Sequence, residues 1–317
     1  MIHWGVIGLG RIAQRFMQSL TYSEDGELYG VASLTKQKRD DFQQAHPHIH
    51  VYETYEDMLN DDEIDAVYIA IRHQDHYHWA KEALLKNKAV LCEKPATLSL
   101  AQTQELCELS KKKHTFFMEA MKSRFIPMVN EMKNIISNDV IGDIIRIENA
   151  FCSDVPYIEN SYLFDKEQGG AWYDVSIYNI AMILDFIKSP IKDVDVYCEK
   201  KYDVDTYDCV EITFESGQTA LIECAIDRSL PKSMIITGTK GKIEVEPFYR
   251  PIQAVVSFND GEAYTGEIPY VNDDFYGEIE AVHHAIAYIQ EEHPRMSHQD
   301  SIDCMKIIEM VKVKIDA

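Results

Sequence analysis

The apolar run at residues 4–8 leads directly into Gly8-Leu9-Gly10-Arg11-Ile12-Ala13, a G-x-G-x-x-A pattern between a predicted strand and a predicted helix. Each small residue has a steric reason to be there. The first glycine permits a tight turn, the second lets the backbone touch an anion, and Ala13 lets the helix pack closely on the strand. Helix N-terminal amides would then face a pyrophosphate. Such a loop needs a parallel sheet behind it. Predicted strands at 4–8, 28–34, 66–71, 89–92 and 115–118 alternate with helical stretches, as that requires. Ser99 and Gln102 form a capping box for the helix carrying Leu100, Leu106 and Leu109.

This order predicts an α/β chain that opens with a Rossmann domain, a doubly wound parallel sheet over residues 1–119. Beyond it the texture changes. Segments 210–214 and 219–225 flank Glu215-Ser216-Gly217-Gln218, 235–239 and 242–246 flank Lys240-Gly241, and 254–258 and 263–268 flank Asn259-Asp260-Gly261. These are hairpin signals, so residues 120–317 are expected to form an α+β domain with a mostly antiparallel, open-faced sheet. Helices near 125–137, 173–188, 274–292 and 299–315 would cover one face.

Charge removes whole classes of partner. The 31 Lys and Arg against 53 Asp and Glu leave −22, so a nucleic-acid duplex or an anionic membrane meets net repulsion. No apolar run approaches the roughly 18 residues of a membrane span. Seven cysteines, odd in number and without a CxxC pair, suggest neither a disulfide framework nor a zinc site. With no signal-peptide pattern at Met1-Ile2-His3-Trp4, a cytoplasmic location is expected. The clusters His46-Pro47-His48-Ile49-His50 and His73-x-x-His76-x-His78 lack diagnostic ligand spacing, so no metal is expected.

The end of the second predicted strand indicates which dinucleotide is preferred. An acidic residue there would bind a free ribose 2′-hydroxyl, but Ser33 stands in its place, followed by Thr35, Lys36, Lys38 and Arg39. Hydroxyls at Ser33 and Thr35 and the ammonium of Lys38 suit a 2′-phosphate. NADP(H) is therefore expected over NAD(H), with Gly8, Gly10, Arg11 and Ile12 holding the pyrophosphate.

Four motifs in order across nearly the whole chain resemble the Gfo/Idh/MocA family of oxidoreductases. They are the glycine loop, Glu93-Lys94-Pro95, the stretch from Met118-Glu119-Ala120 to Arg124-Phe125-Ile126-Pro127, and Gly169-Gly170-Ala171-Trp172-Tyr173-Asp174 through Tyr178. The Asp-x-x-x-Tyr form resembles the branch containing trans-dihydrodiol dehydrogenase, glucose-fructose oxidoreductase and xylose dehydrogenase. The resemblance implies hydride transfer between nicotinamide and a hydroxyl or carbonyl carbon of a sugar, polyol or sugar acid. Tyr178 would be the acid/base, with Lys94 and Asp174 beside it, since a phenol near its reference pKa of about 10 needs a neighbouring cation. If the segment is helical, Asp174, four residues before Tyr178, would share a face with it. Glu93 and His76 are expected near the cofactor, and Lys122, Phe151 and Phe275 near the substrate.

Some positions depart from the family. Ile71-Arg72-His73 replaces the usual Thr-Pro-Asn, and Leu34 replaces an arginine common in NADP-dependent relatives. Lys122 replaces an aromatic residue, which favours an anionic substrate unless a nearby carboxylate pairs with it. A dinucleotide-binding regulator without turnover is the rival reading, and retention of Lys94, Asp174 and Tyr178 argues against it. The resemblance also implies a homodimer or larger homo-oligomer.

Overall fold

The computed structural model describes residues 1–316. The chain forms two compact units: Met1–Met121 with Val271–Ile302, and Lys122–Tyr270 with the residues from Asp303 on. A single boundary near 119 is what the sequence pattern expects. The first segment ends two residues later, and residues 271–302 return to the first unit.

The first unit alternates as its pattern demands: β1 (Ile2–Ile7), α1 (Arg11–Leu20), β2 (Gly26–Ala32), α2 (Lys36–Ala45), β3 (His50–Tyr52), α3 (Tyr55–Leu59), β4 (Ala66–Ile69), α4 (His73–Leu85), β5 (Ala89–Glu93), α5 (Leu100–Lys113) and β6 (Phe117–Ala120). The strands form one parallel sheet in the order β3-β2-β1-β4-β5-β6. Every residue of β4 and β5 is buried, as helices on both faces of a parallel sheet require. Strand order reverses between β1 and β4, which opens a crevice at their carboxyl ends.

The cap predicted for α5 forms with one change. Ser99 Oγ accepts the Gln102 N–H at 3.3 Å, while Gln102 Oε1 reaches back to the Leu98 N–H, one residue beyond the cap. Strand β3 has no counterpart in the hydrophobic pattern because it is three residues long and begins on a histidine. Strand β6 starts two residues later than its apolar run suggests, which puts Glu119 inside the strand.

The chain continues with α6 (Pro127–Ser137), β7 (Ile144–Cys152), α7 (Ala171–Asp174), α8 (Ser176–Phe186), β8 (Ile191–Lys201), β9 (Val204–Phe214), β10 (Thr219–Ala225), β11 (Met234–Gly238), β12 (Gly241–Val245), β13 (Gln253–Phe258), β14 (Ala263–Glu267), α9 (Tyr276–Ala287) and α10 (His298–Ile315). All three predicted hairpins are present: β9–β10, β11–β12 and β13–β14. The sheet runs β14-β13-β12-β11-β7-β10-β9-β8 and is antiparallel except where β7 pairs with β10. Strand β7 carries Arg146, Glu148 and Asn149, which mask it in the sequence. Asn149 is nevertheless buried, because Asn149 and Asn179 of α8 exchange amide hydrogen bonds. None of the helices among the described residues is long and apolar enough to cross a membrane.

Candidate active site

The glycine loop closes on the end of β4. Gly8 has φ +102°, and a Cβ there would collide with the Ala70 carbonyl oxygen, so only glycine lets the two strand ends approach. Gly10 is different. A Cβ there would meet nothing within 4 Å, and Gly10 is the N-cap of α1 with no side chain capping the helix and no acid in its first turn. A helix start with uncapped amides, beside a space that only glycine leaves open, fits a dinucleotide pyrophosphate. Arg11 stands exposed and Ile12 half-buried at that helix start.

At the end of β2, Ser33 is buried and its hydroxyl accepts the Thr35 N–H at 3.3 Å. Thr35 caps α2 without using its own side chain. The cations beyond divide by role. Lys36 pairs with Asp40 at 2.6 Å, and Arg39 donates to the Ser33 carbonyl at 2.7 Å, which fixes the turn. Lys38 has no ion-pair partner among the described residues, and with Leu9, Met17 and Phe42 it lines a cavity of about 860 Å³.

Lys94 sits on a turn tethered at several points. Glu93 ends β5 buried, accepts the Tyr68 hydroxyl and receives the Lys94 N–H at 3.3 Å. The Lys94–Pro95 peptide is cis. Beyond it, Glu119 Oε1 accepts the Ala96 N–H at 2.9 Å, and His76 Nδ1 lies 2.8 Å from the Pro95 carbonyl. His76 Nε2 is 3.3 Å from the Ile71 carbonyl. The Nδ1 contact ties His76 to the Lys94 turn, while Nε2 faces the Ile71 carbonyl. His76 thereby braces the Lys94 turn. Burial, then His73, hold its pKa down at about 3, and the imidazole is neutral. Glu93 likewise spends its carboxylate on Tyr68 and on the turn. Position along the chain suggests Glu119 only as part of a motif; its buried place in β6 shows what it does.

In the second unit, Asp174 and Tyr178 do not share one helix. The helical path breaks at Val175, φ −110° and ψ −31°, so Asp174 ends α7 and Tyr178 lies in the first turn of α8. Asp174 accepts the Tyr162 hydroxyl at 3.5 Å. The Tyr178 ring is 5.6 Å from Phe151 and 6.0 Å from Tyr249, and Phe151 stacks on Tyr249 at 4.7 Å. Lys232 Nζ lies 5.1 Å over Phe151, and Arg250 Cζ 5.3 Å over Tyr249. Tyr249 and Phe248 escape the sequence reading because they follow β12 in what looks like a hairpin flank. Their aromatic character is the signal that could have found them.

The turn 122–125 ties this cluster together. Lys122 is buried in it. Ser123 donates to the Tyr249 carbonyl at 2.7 Å, and the wholly buried Arg124 gives Nε and Nη2 to the Ala181 carbonyl of α8 at 3.1 and 2.6 Å. Phe275 belongs to the first unit, is wholly buried, and carries Arg15 Cζ 4.8 Å over its ring. Asp273 Oδ1 accepts the Phe275 and Tyr276 N–H groups and the Ser19 hydroxyl, so this corner joins α9 to α1.

Comparison with known proteins agrees with this layout. Residues 2–121 match the Gfo/Idh/MocA model described as an oxidoreductase family with an NAD-binding Rossmann fold, and residues 129–244 match the family's C-terminal domain. Trans-1,2-dihydrobenzene-1,2-diol dehydrogenase of Xenopus laevis is 28% identical over 277 residues, 85% of this chain and 82% of that protein. A 3-ketoreductase from Actinomadura kijaniata, solved with NADP and TDP-benzene, superposes with a TM-score of 0.88 at 24% identity, covering 98% and 97% of the two chains. The aldose-aldose oxidoreductase of Caulobacter crescentus, solved with glycerol, gives 0.89 at 19% identity, covering 98% and 96%. With both of its domain models matched in order and an open cradle at Gly10, this chain belongs to the Gfo/Idh/MocA family of NAD(P)-dependent oxidoreductases.

Proposed function

We propose that the protein is an NADP(H)-preferring dehydrogenase or reductase that acts on a hydroxyl or carbonyl carbon of a sugar, polyol or sugar acid. The observation that carries this reading is the braced Lys94 turn at the carboxyl end of β5, in the same sheet whose switch point holds the glycine cradle. Residues 1–119 hold the dinucleotide and residues from 120 on supply the acid/base and the substrate wall. A bound nicotinamide supplies or takes the hydride. The amides after Gly10 would hold the pyrophosphate, and Ser33, Thr35 and Lys38 the 2′-phosphate. The NADP found with the Actinomadura ketoreductase supports that choice.

Tyr178 takes the substrate hydroxyl proton in oxidation and returns it in reduction, with the Lys94 ammonium favouring the phenolate and Asp174 orienting the substrate. Phe151 and Tyr249 form the wall beside Tyr178, and Lys122 favours an anionic group. Lys94→Ala should lower kcat by about a hundredfold to ten-thousandfold and leave the dinucleotide Kd within about twofold. Unchanged turnover on a panel of aldoses, polyols and sugar acids would sink the assignment.

A cytoplasmic homodimer acting on a small molecule is part of the same proposal. The outward positions of β7, β9 and β10 mix half-exposed Leu221 and Tyr207 with the Arg146–Glu211 pair, which suits a second copy better than open water. Light scattering should give about twice the chain mass, and a monomer would refute this part alone.

A further inference from the structure

Gly169 and Gly170 precede α7, the short helix that ends in Asp174. Gly169 donates to the Asp165 carbonyl at 2.7 Å and Gly170 to the Leu163 carbonyl at 2.8 Å. The other side of Gly170 is filled from β9. Its φ is +92°, and a Cβ there would lie 2.5 Å from Asp205 Oδ1 and 2.6 Å from Oδ2. The carboxylate occupies the space that the missing side chain leaves.

Asp205 is wholly buried, and its two oxygens are spoken for. Oδ2 accepts the Trp172 N–H at 2.7 Å, and Oδ1 pairs with Lys312 Nζ of α10 at 2.9 Å. Lys312 also lies 5.5 Å over the Tyr173 ring, and the Trp172 indole donates to the Ile308 carbonyl at 3.1 Å, so α7 is clamped between β9 and α10. The link continues past the break at Val175, because the Trp172 carbonyl accepts the Ser176 hydroxyl at the start of α8. Tyr178 follows two residues later. Asp208, the neighbouring buried acid, has its pKa raised by burial and then by Asp205.

We propose that Asp205 is a positioning residue of the active site, setting Asp174 and Tyr178 through Trp172 and Ser176, with Lys312 holding its charge. This rests on the reading of Tyr178 as the acid/base. A buried carboxylate that loses its charge or its cation leaves its amide partner poorly held, and the segment it fixes loosens before the fold does.

Two variants of the full chain test it: Asp205→Asn, which keeps the shape, and Lys312→Met, which keeps much of the length. Hydrogen exchange should quicken by about tenfold for amides 171–178 in both, with β1 to β6 unaffected. With NADP⁺ and the panel sugar that the wild-type enzyme turns over fastest, kcat should fall by about tenfold while KM for NADP⁺ stays within about twofold. Asp205→Glu, one methylene too long for the space at Gly170, should not rescue kcat. Unchanged exchange at 171–178 overturns the proposal. Quickened exchange with unchanged kcat overturns it too, since Asp205 would then be structural only. Failure of the underlying reading looks different: Tyr178→Phe would keep wild-type kcat.

Discussion

His76 Nδ1 lies 2.8 Å from the Pro95 carbonyl, so a neutral, wholly buried imidazole closes the turn that presents Lys94. One ring nitrogen of a neutral imidazole donates and the other accepts, and the shorter contact identifies Nδ1 as the donor. The ring must not be doubly protonated while folded, because burial penalises its charge.

That burden has a pH signature. The His76 pKa is lowered from 6.5 to about 3 in the fold, so between these values the unfolded chain binds a proton that the folded chain does not. Stability is complete above about pH 6.5 and falls as pH drops toward 3, by up to ~1.4 kcal/mol per pH unit from this residue. Urea melts at pH 7 and pH 5 should show the loss, and His76→Asn should shrink it. Identical pH dependence in the variant would contradict this account.

The two glycines of the loop should separate folding from binding. Gly8→Ala forces a side chain into φ +102° against the Ala70 carbonyl and should lower Tm, with backbone strain alone costing about 1–2 kcal/mol. Gly10→Ala meets nothing in the chain, so its Tm should match wild type while the Kd for NADP(H) rises by about tenfold or more. Thermal melts and fluorescence titrations read the two effects. A Gly10→Ala variant that binds normally would remove the pyrophosphate from this cradle.

Cofactor choice should rest on Lys38. Lys36 and Arg39 already have partners in the protein, whereas Lys38 has no ion pair among the described residues. Lys38→Glu should weaken NADP(H) binding by about tenfold or more and change NAD(H) binding little, since a charged hydrogen bond to phosphate is replaced by repulsion. Parallel titrations with the two dinucleotides check it. Equal losses for both would argue against a 2′-phosphate contact.

Phe275 should behave as core. Phe275→Ala should cost about 3–5 kcal/mol through the cavity left under Arg15. The folded fraction should keep its KM for substrate. A selective rise in KM without a stability loss would instead mark Phe275 as part of the substrate wall.

Much of the site is legible from residues that are close in sequence. The glycine loop, the strand end at Ser33 and the turn at Lys94 are each local, and backbone sterics require their residue types wherever the strands go. Strand β7 is not legible, since its polar residues are satisfied by partners far along the chain, Asn149 by Asn179 and Arg146 by Glu211. The division between Asp174 in α7 and Tyr178 in α8 is not legible either. Val175 keeps αR dihedrals, and no residue type there marks where α7 ends and α8 begins.

The amino-acid order by itself determined the alternation of strands and helices, the anion loop and the family, because those follow from periodicity and from glycine sterics over a few residues. Tertiary structure alone decided that His76 and Glu119 brace Lys94, that Tyr249 stands beside Tyr178, and that Asp205 fills the space at Gly170. Those roles depend on which buried polar group finds which partner, and such a group takes whatever partner the packing brings within hydrogen-bond reach, however distant in the chain.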